Sequence, residues 1–201
     1  MPREHMPSVV RHGHIRIYAA NDPAWVLLDQ DNVICDSSRG AYARFAADLN
    51  EPCWAFWGLA VGAGKAEWAN SSPTTPPPAP DPANTPTTLW NLLKRKPLMS
   101  PNGVRFFNDD GSISLAPTRN VQFRTMLNSD TDAISVPLME MGLIGGGTRS
   151  ANNGAGTDPL IAPFWDPMTN NPDSMVLMNY TTFGALSLPA VDLIFEWELF
   201  F

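Results

Sequence analysis

Several short spacings in this chain bring together residue types that could do chemistry. His12 and His14 alternate, so a strand would set both imidazoles on one face with His5 close by, as a transition-metal site requires. No carboxylate or cysteine completes the set locally, and a solvent-facing pair at an N-terminal strand edge is the simpler reading. Because all three histidines lie near the start, a Ser-His-Asp or Cys-His centre would need a long-range meeting that nothing in the sequence announces. Glu196 and Glu198 share a strand face, where paired carboxylates could perform glycosidase-like acid/base work, but the polar side of an amphipathic strand accounts for both. The run Val61-Gly62-Ala63-Gly64-Lys65-Ala66 approximates a phosphate-binding loop. The required first glycine would fall at Leu59, however, and Ala66 replaces the hydroxyl after lysine, leaving a glycine-rich turn after a buried strand. Asn108, Asp109, Asp110 and Gly111 offer oxygen ligands without the twelve-residue loop and closing glutamate of a calcium site, so a turn between strands is expected. No catalytic, cofactor-binding or metal-ligating set is assigned, and no enzyme is expected.

The elements that would carry these residues read as mainly β. Twenty prolines and fourteen glycines in 201 residues disfavour long helices and favour short strands joined by constrained turns. With 44% hydrophobic residues and seven tryptophans there is ample material for a core. A formal charge of -7, with one dense basic run at Lys94-Arg95-Lys96, opposes nucleic-acid binding, which needs a longer basic stripe. No run reaches the length of a membrane-spanning helix, and the N-terminus lacks the basic start and apolar core of a signal peptide. A soluble product made in the cytosol is expected. Cys35 and Cys53 could pair across a loop of moderate length, but two cysteines make no disulfide framework and free buried thiols are the simpler reading.

Taken in order, Ile15–Ala19 and Trp25–Asp29 read as a hairpin about Asn21-Asp22-Pro23. Residues Ser37 to Leu49 form the one short helix expected, with Ser38 as its N-cap and Tyr42, Phe45, Ala46 and Leu49 at helical spacing. Trp54 to Gly62 is a dense apolar run suited to a buried strand. Residues 71–88 carry seven prolines and should run as an extended surface arm. Leu89 to Leu93 opens a short amphipathic turn that ends in the basic triplet. Further strands are predicted at Val104–Phe107, Val121–Leu127, Ala133–Leu143 and Met175–Tyr180, the last two separated by a long Gly/Asn/Pro-rich loop over 145–174. The last eleven residues, Val191 to Phe201, alternate apolar and polar side chains over about 35 Å of strand. Val191, Leu193, Phe195, Trp197, Leu199 and Phe201 share a face that needs a partner, either within a sandwich or from another subunit. The whole is predicted as one antiparallel β-sandwich domain over 1–201, with its tryptophans mostly in core or interface.

The order of phrases in the second half resembles virion proteins of tailed bacteriophages, especially those of tail-fibre, collar and baseplate regions. The residues that carry the resemblance are Leu138-Met139-Glu140-Met141-Gly142-Leu143-Ile144-Gly145-Gly146, then Met178-Asn179-Tyr180-Thr181-Thr182-Phe183, then Leu188-Pro189-Ala190, and the closing strand Leu193 to Phe200. Upstream, Trp57 to Gly64 followed by a Thr/Pro-rich stretch and Thr85 to Leu89 is similar to a further phrase of such proteins. The resemblance spans about Val104 to the end and implies a virion component made in the host cytoplasm. It would act without catalysis, contacting other virion proteins and further copies of itself, and neither nucleic acid nor membrane. Pro76, Pro77 and Pro78 in the arm, with Trp90, Phe164 and Trp165, are the candidate interface residues. A carbohydrate- or receptor-binding β-sandwich module for host attachment is the alternative, since exposed tryptophans stack on sugars.

Overall fold

The computed structural model describes residues 12–34, 56–72, 74–80, 89–145 and 176–200. Ten strands form within them: β1 (His12–Ala19), β2 (Asp22–Ile34), β3 (Phe56–Gly62), β4 (Leu92–Pro97), β5 (Val104–Phe107), β6 (Ile113–Ser114), β7 (Asn120–Leu127), β8 (Leu138–Gly145), β9 (Val176–Leu186) and β10 (Leu193–Phe200). One 3-10 turn, Ala66–Trp68, is the sole helical element among the described residues. The helix predicted over Ser37–Leu49 and both cysteines lie outside them.

All pairings are antiparallel, in the order β4-β3-β8-β9-β2-β1-β10-β7-β5-β6. Strand β2 is long enough to serve two sheets. Its first part pairs with β1, while Val33 and Ile34 pair with Tyr180 and Asn179 of β9. The two sheets therefore pack face to face as a β-sandwich with β2 as one seam. On the other side, residues after β4 reach β7: the Met99 amide donates to the Arg124 carbonyl at 2.9 Å and the Thr125 hydroxyl to the Pro97 carbonyl at 3.3 Å. Backbone donors of this crossing are thus satisfied as the chain passes between sheets.

The first sheet follows the alternation legible in the sequence. Rows of register partners Gly13-Leu199-Val121, Ile15-Trp197-Phe123 and Ile17-Phe195-Thr125 turn inward, and the rows between them are polar: His14-Glu198-Gln122 and Arg16-Glu196-Arg124. Opposite the inward rows stand Leu59, Val61, Leu138, Met141, Leu143 and Phe183 of the second sheet. In the second sheet β3 and β8 are buried on both faces, while the edge strand β4 is half-buried throughout. Strand β8 has no exposed or half-exposed residue, and a second cluster of Trp57, Ala60, Leu89, Ile144, Leu177 and Tyr180 lies apart from the main core. That is why Trp57–Gly62 reads as an unbroken apolar run and Leu138–Gly145 as one interrupted only by Glu140.

Four expectations need correction. The basic triplet lies inside β4 rather than ending a turn, because the Lys94 and Lys96 ammonium groups converge on the buried Asp132 carboxylate at 2.7 and 2.5 Å. Burial pushes that carboxyl up, but its bonds to Lys94, Lys96 and the Asn128 amide outweigh burial and hold it below the ordinary range. Strand β8 starts at Leu138 rather than Ala133, since 128–132 closes a loop on Asp132 first. The closing strand begins at Leu193, and Asp192 is used instead as an acceptor for the Ser129 amide and hydroxyl. Finally, β1 is an interior strand between β2 and β10, so His14 does not sit at a sheet edge.

Candidate functional site

Glu140 is the most heavily committed polar side chain described. By alternation on β8 it shares a face with Gly142 and Ile144, away from the main core, and it is completely buried. Its Oε1 accepts the Asn91 amide at 2.9 Å and the Gly64 amide at 3.2 Å, and its Oε2 accepts the Tyr180 hydroxyl at 2.9 Å and the Trp90 amide at 3.2 Å. Four donors from three remote segments meet on one carboxylate. The glycines around it are sterically required. A Cβ on Gly62 would come within 2.5 Å of Glu140 Oε1 and 2.7 Å of the Asn91 carbonyl. Gly64 adopts φ +69°, a left-handed conformation that side chains disfavour. A Cβ on Gly142 would strike Leu177 and lie 2.7 Å from the Asn179 carbonyl oxygen. Gly142→Ala should therefore cost about 1–3 kcal/mol, read as a lower urea midpoint at unchanged m-value.

The glycine-rich turn after β3 is thus an anion cradle whose Gly64 amide is already occupied from within by the protein's own carboxylate. The clamped turns place three side chains together at the surface. Lys65 Nζ lies 4.3 Å from the Trp90 ring centroid and 5.6 Å from that of Trp68, and 3.6 Å from Glu67 Oε1. Trp90 is 56% exposed, and the bond from its amide to Glu140 anchors it at its base. An exposed indole with a cation over its face is costly to leave in water and energetic when covered.

Of the predicted interface residues, Trp90 stands on this platform. Pro76 and Pro78 are exposed, whereas Pro77 is buried, and the Thr182 hydroxyl of β9 donates to the Pro78 carbonyl at 3.0 Å. This part of the arm is seated on the protein's own body, a correction to its reading as a wholly surface stretch. Phe164 and Trp165 lie outside the described residues, as does most of the 145–174 loop. Trp57 and Trp197 are core residues, and Trp25 is 46% exposed.

The other chemical spacings resolve into structure. Glu196 and Glu198 are not free acids on a solvated face. Arg124 Nε donates to Glu196 Oε1 at 2.9 Å, the Tyr18 hydroxyl donates to the same oxygen at 2.6 Å, and Gln122 donates to Glu198 at 3.0 Å. These cross-strand partners come from β1 and β7, which sequence spacing alone cannot pair with β10. Asn108–Gly111 is a turn between β5 and β6, closed by the Gly111 amide on the Asn108 carbonyl at 2.9 Å, with Asp110 accepting from Ser112. Among the described residues no group of three or more His, Cys, Asp or Glu side chains is arranged to hold a metal ion. No described helix is long and apolar enough to cross a membrane.

Sequence reasoning missed the role of Glu140. Its signal was present as a single acidic residue inside the longest unbroken apolar stretch of the second half, where an unpartnered charge would be prohibitive. Fold and site together define an antiparallel β-sandwich whose best-built polar centre is a structural clamp beneath an aromatic surface platform. No family model, curated protein or solved structure matches the chain.

Proposed function

We propose that this protein is a structural component of a tailed-phage virion, acting through contacts with other virion proteins and with further copies of itself. The observation that carries this reading is the convergence of the resemblance-bearing phrases. Gly64 from the first phrase, Glu140 from the second and Tyr180 from the third are far apart in sequence, yet they meet at one carboxylate. The turn that supplies Trp90 and Asn91 joins them there. These residues are spent on holding a surface in shape, which suits a subunit that assembles.

Binding is assigned to the platform of Trp90, Lys65 and Trp68, with the exposed prolines Pro76 and Pro78 of the arm as further contact residues. Two measurements test it together: light scattering of the purified chain after size exclusion, and co-sedimentation with phage particles. Self-association or particle binding is expected. A strictly monomeric chain that ignores particles would overturn the reading. Trp90→Ala should weaken association about tenfold or more, as removal of an exposed aromatic anchor does, while shifting folding stability by less than about 0.5 kcal/mol.

The half-exposed indoles of Trp25 and Trp90 favour one second reading, a carbohydrate- or receptor-binding module for host attachment. A glycan array separates the two, because a sugar-specific signal lost in Trp90→Ala belongs to the second alone.

A further inference from the structure

We propose that His14 is a proton-operated clamp that fastens β2 to β1 beside the seam between the two sheets. The geometry is specific. His14 Nε2 lies 2.6 Å from Asp29 Oδ1 and Nδ1 lies 3.1 Å from Asp31 Oδ1, so each ring nitrogen faces a carboxylate oxygen. A neutral imidazole has one N–H and would turn its other lone pair onto an anion. Only the imidazolium donates both bonds.

The surrounding charges favour that cation. Asp29 and Asp31 face it from β2, and Glu198 is its register partner on β10, where Gln122 donates to Glu198 at 3.0 Å. Glu196, two residues before Glu198, is engaged by Arg124 and Tyr18. On the histidine's own strand, Arg16 Nε lies 3.9 Å from Asp29 Oδ2 and opposes the cation, while the second guanidinium of this group, that of Arg124, is paired with Glu196. Burial lowers the His14 pKa, but the bonds to Asp31 and Asp29 and the fields of both carboxylates outweigh it, so the net shift is upward from 6.5.

The position gives the proton leverage. Immediately after Asp31, the Asn32 amide group, oriented to satisfy its neighbours, donates to the Gly13 carbonyl at 2.8 Å and accepts from Asn179 at 3.1 Å and from the Trp197 indole. Val33 and Ile34 then pair with β9. The clamp thus fastens β2 just before it leaves one sheet for the other. A group whose folded pKa is raised contributes stability that is fully present below its unfolded pKa, near 6.5, and is lost as pH rises through the folded value. Mild acid should lock this segment and alkali should loosen it, whatever the protein's biological partner.

NMR titration of the imidazole resonances tests the clamp, with His14 assigned by its disappearance in His14→Gln. Its pKa should lie above 6.5 in the native chain and fall in Asp31→Asn, a variant at an 87% exposed side chain that should fold normally. Hydrogen-exchange protection of residues 29–34, corrected for the intrinsic pH dependence of exchange, should fall as pH rises through that pKa. The loss should reach up to tenfold for each unit by which the pKa is raised, and it should be missing in His14→Gln. A His14 pKa at or below 6.5, one indifferent to Asp31→Asn, or a native protection profile matching that of His14→Gln would each overturn the proposal.

Discussion

Glu140→Ala should destabilise the fold by about 3–5 kcal/mol, the largest effect expected from any single polar substitution in this chain. The fully buried carboxylate accepts from the buried Gly64 amide and Tyr180 hydroxyl and from the part-buried amides of Trp90 and Asn91. Each buried donor left without a partner costs about 1–3 kcal/mol, and water entering the vacated space recovers part of that sum. Glu140→Gln should cost less, because its carbonyl oxygen still accepts, but its amide nitrogen must face donors. Tyr180→Phe removes one donor and leaves the carboxylate three others, so about 1 kcal/mol is expected. Urea denaturation of the three variants checks the series. A loss below about 1 kcal/mol for Glu140→Ala would mean that the clamp does not hold the turns. Because the clamp orients Trp90, Glu140→Ala should also reduce association even under conditions where the protein remains folded. Trp90→Ala, by contrast, should reduce association alone.

Trp197→Ala should cost about 3–5 kcal/mol through a different mechanism, the cavity left by a large core side chain. Trp197 is 2% exposed and sits in the row Ile15-Trp197-Phe123, at the centre of the first sheet's inward face. Phe56 from the second sheet meets Phe123 of that row in a tilted contact, with ring centroids 4.3 Å apart and the planes at 39°, so this layer receives aromatic side chains from both sheets. The indole N–H also bonds to Asn32, whose amide links β2 to β1, β9 and β10. Trp197→Phe should recover most of the packing and none of this bond, landing between the alanine variant and the native chain. Thermal denaturation of both variants distinguishes the terms. If Trp197→Ala leaves the midpoint unchanged, β10 is not the central core strand that its register makes it.

The amphipathic C-terminal strand was legible without coordinates because alternation is a local property: a period of two sorts side chains between faces whatever the partner strand. The same holds for the hairpin of β1 and β2, for Val104–Phe107 and Val121–Leu127, and for the turn at Asn108–Gly111. Which strand lies beside which is not local. The hairpin sets β2 beside His12 and His14, but nothing near them in sequence announces β10 on their other side, so the strand reads as an edge. Glu196 and Glu198 were read as solvated for the same reason, their partners Arg124, Tyr18 and Gln122 arriving from β7 and β1.

The chain's own pattern of residues therefore determined the antiparallel β-sandwich, the strand faces and the turns, because propensity and periodicity act over a few residues. Only the tertiary structure decided that Glu140 is the hub, that the glycine-rich turn cradles it and that Trp90 is held out at the surface. Each of those facts depends on donors as far apart in sequence as Gly64 and Tyr180 reaching one buried acceptor, a meeting set by sheet order and register rather than by local spacing.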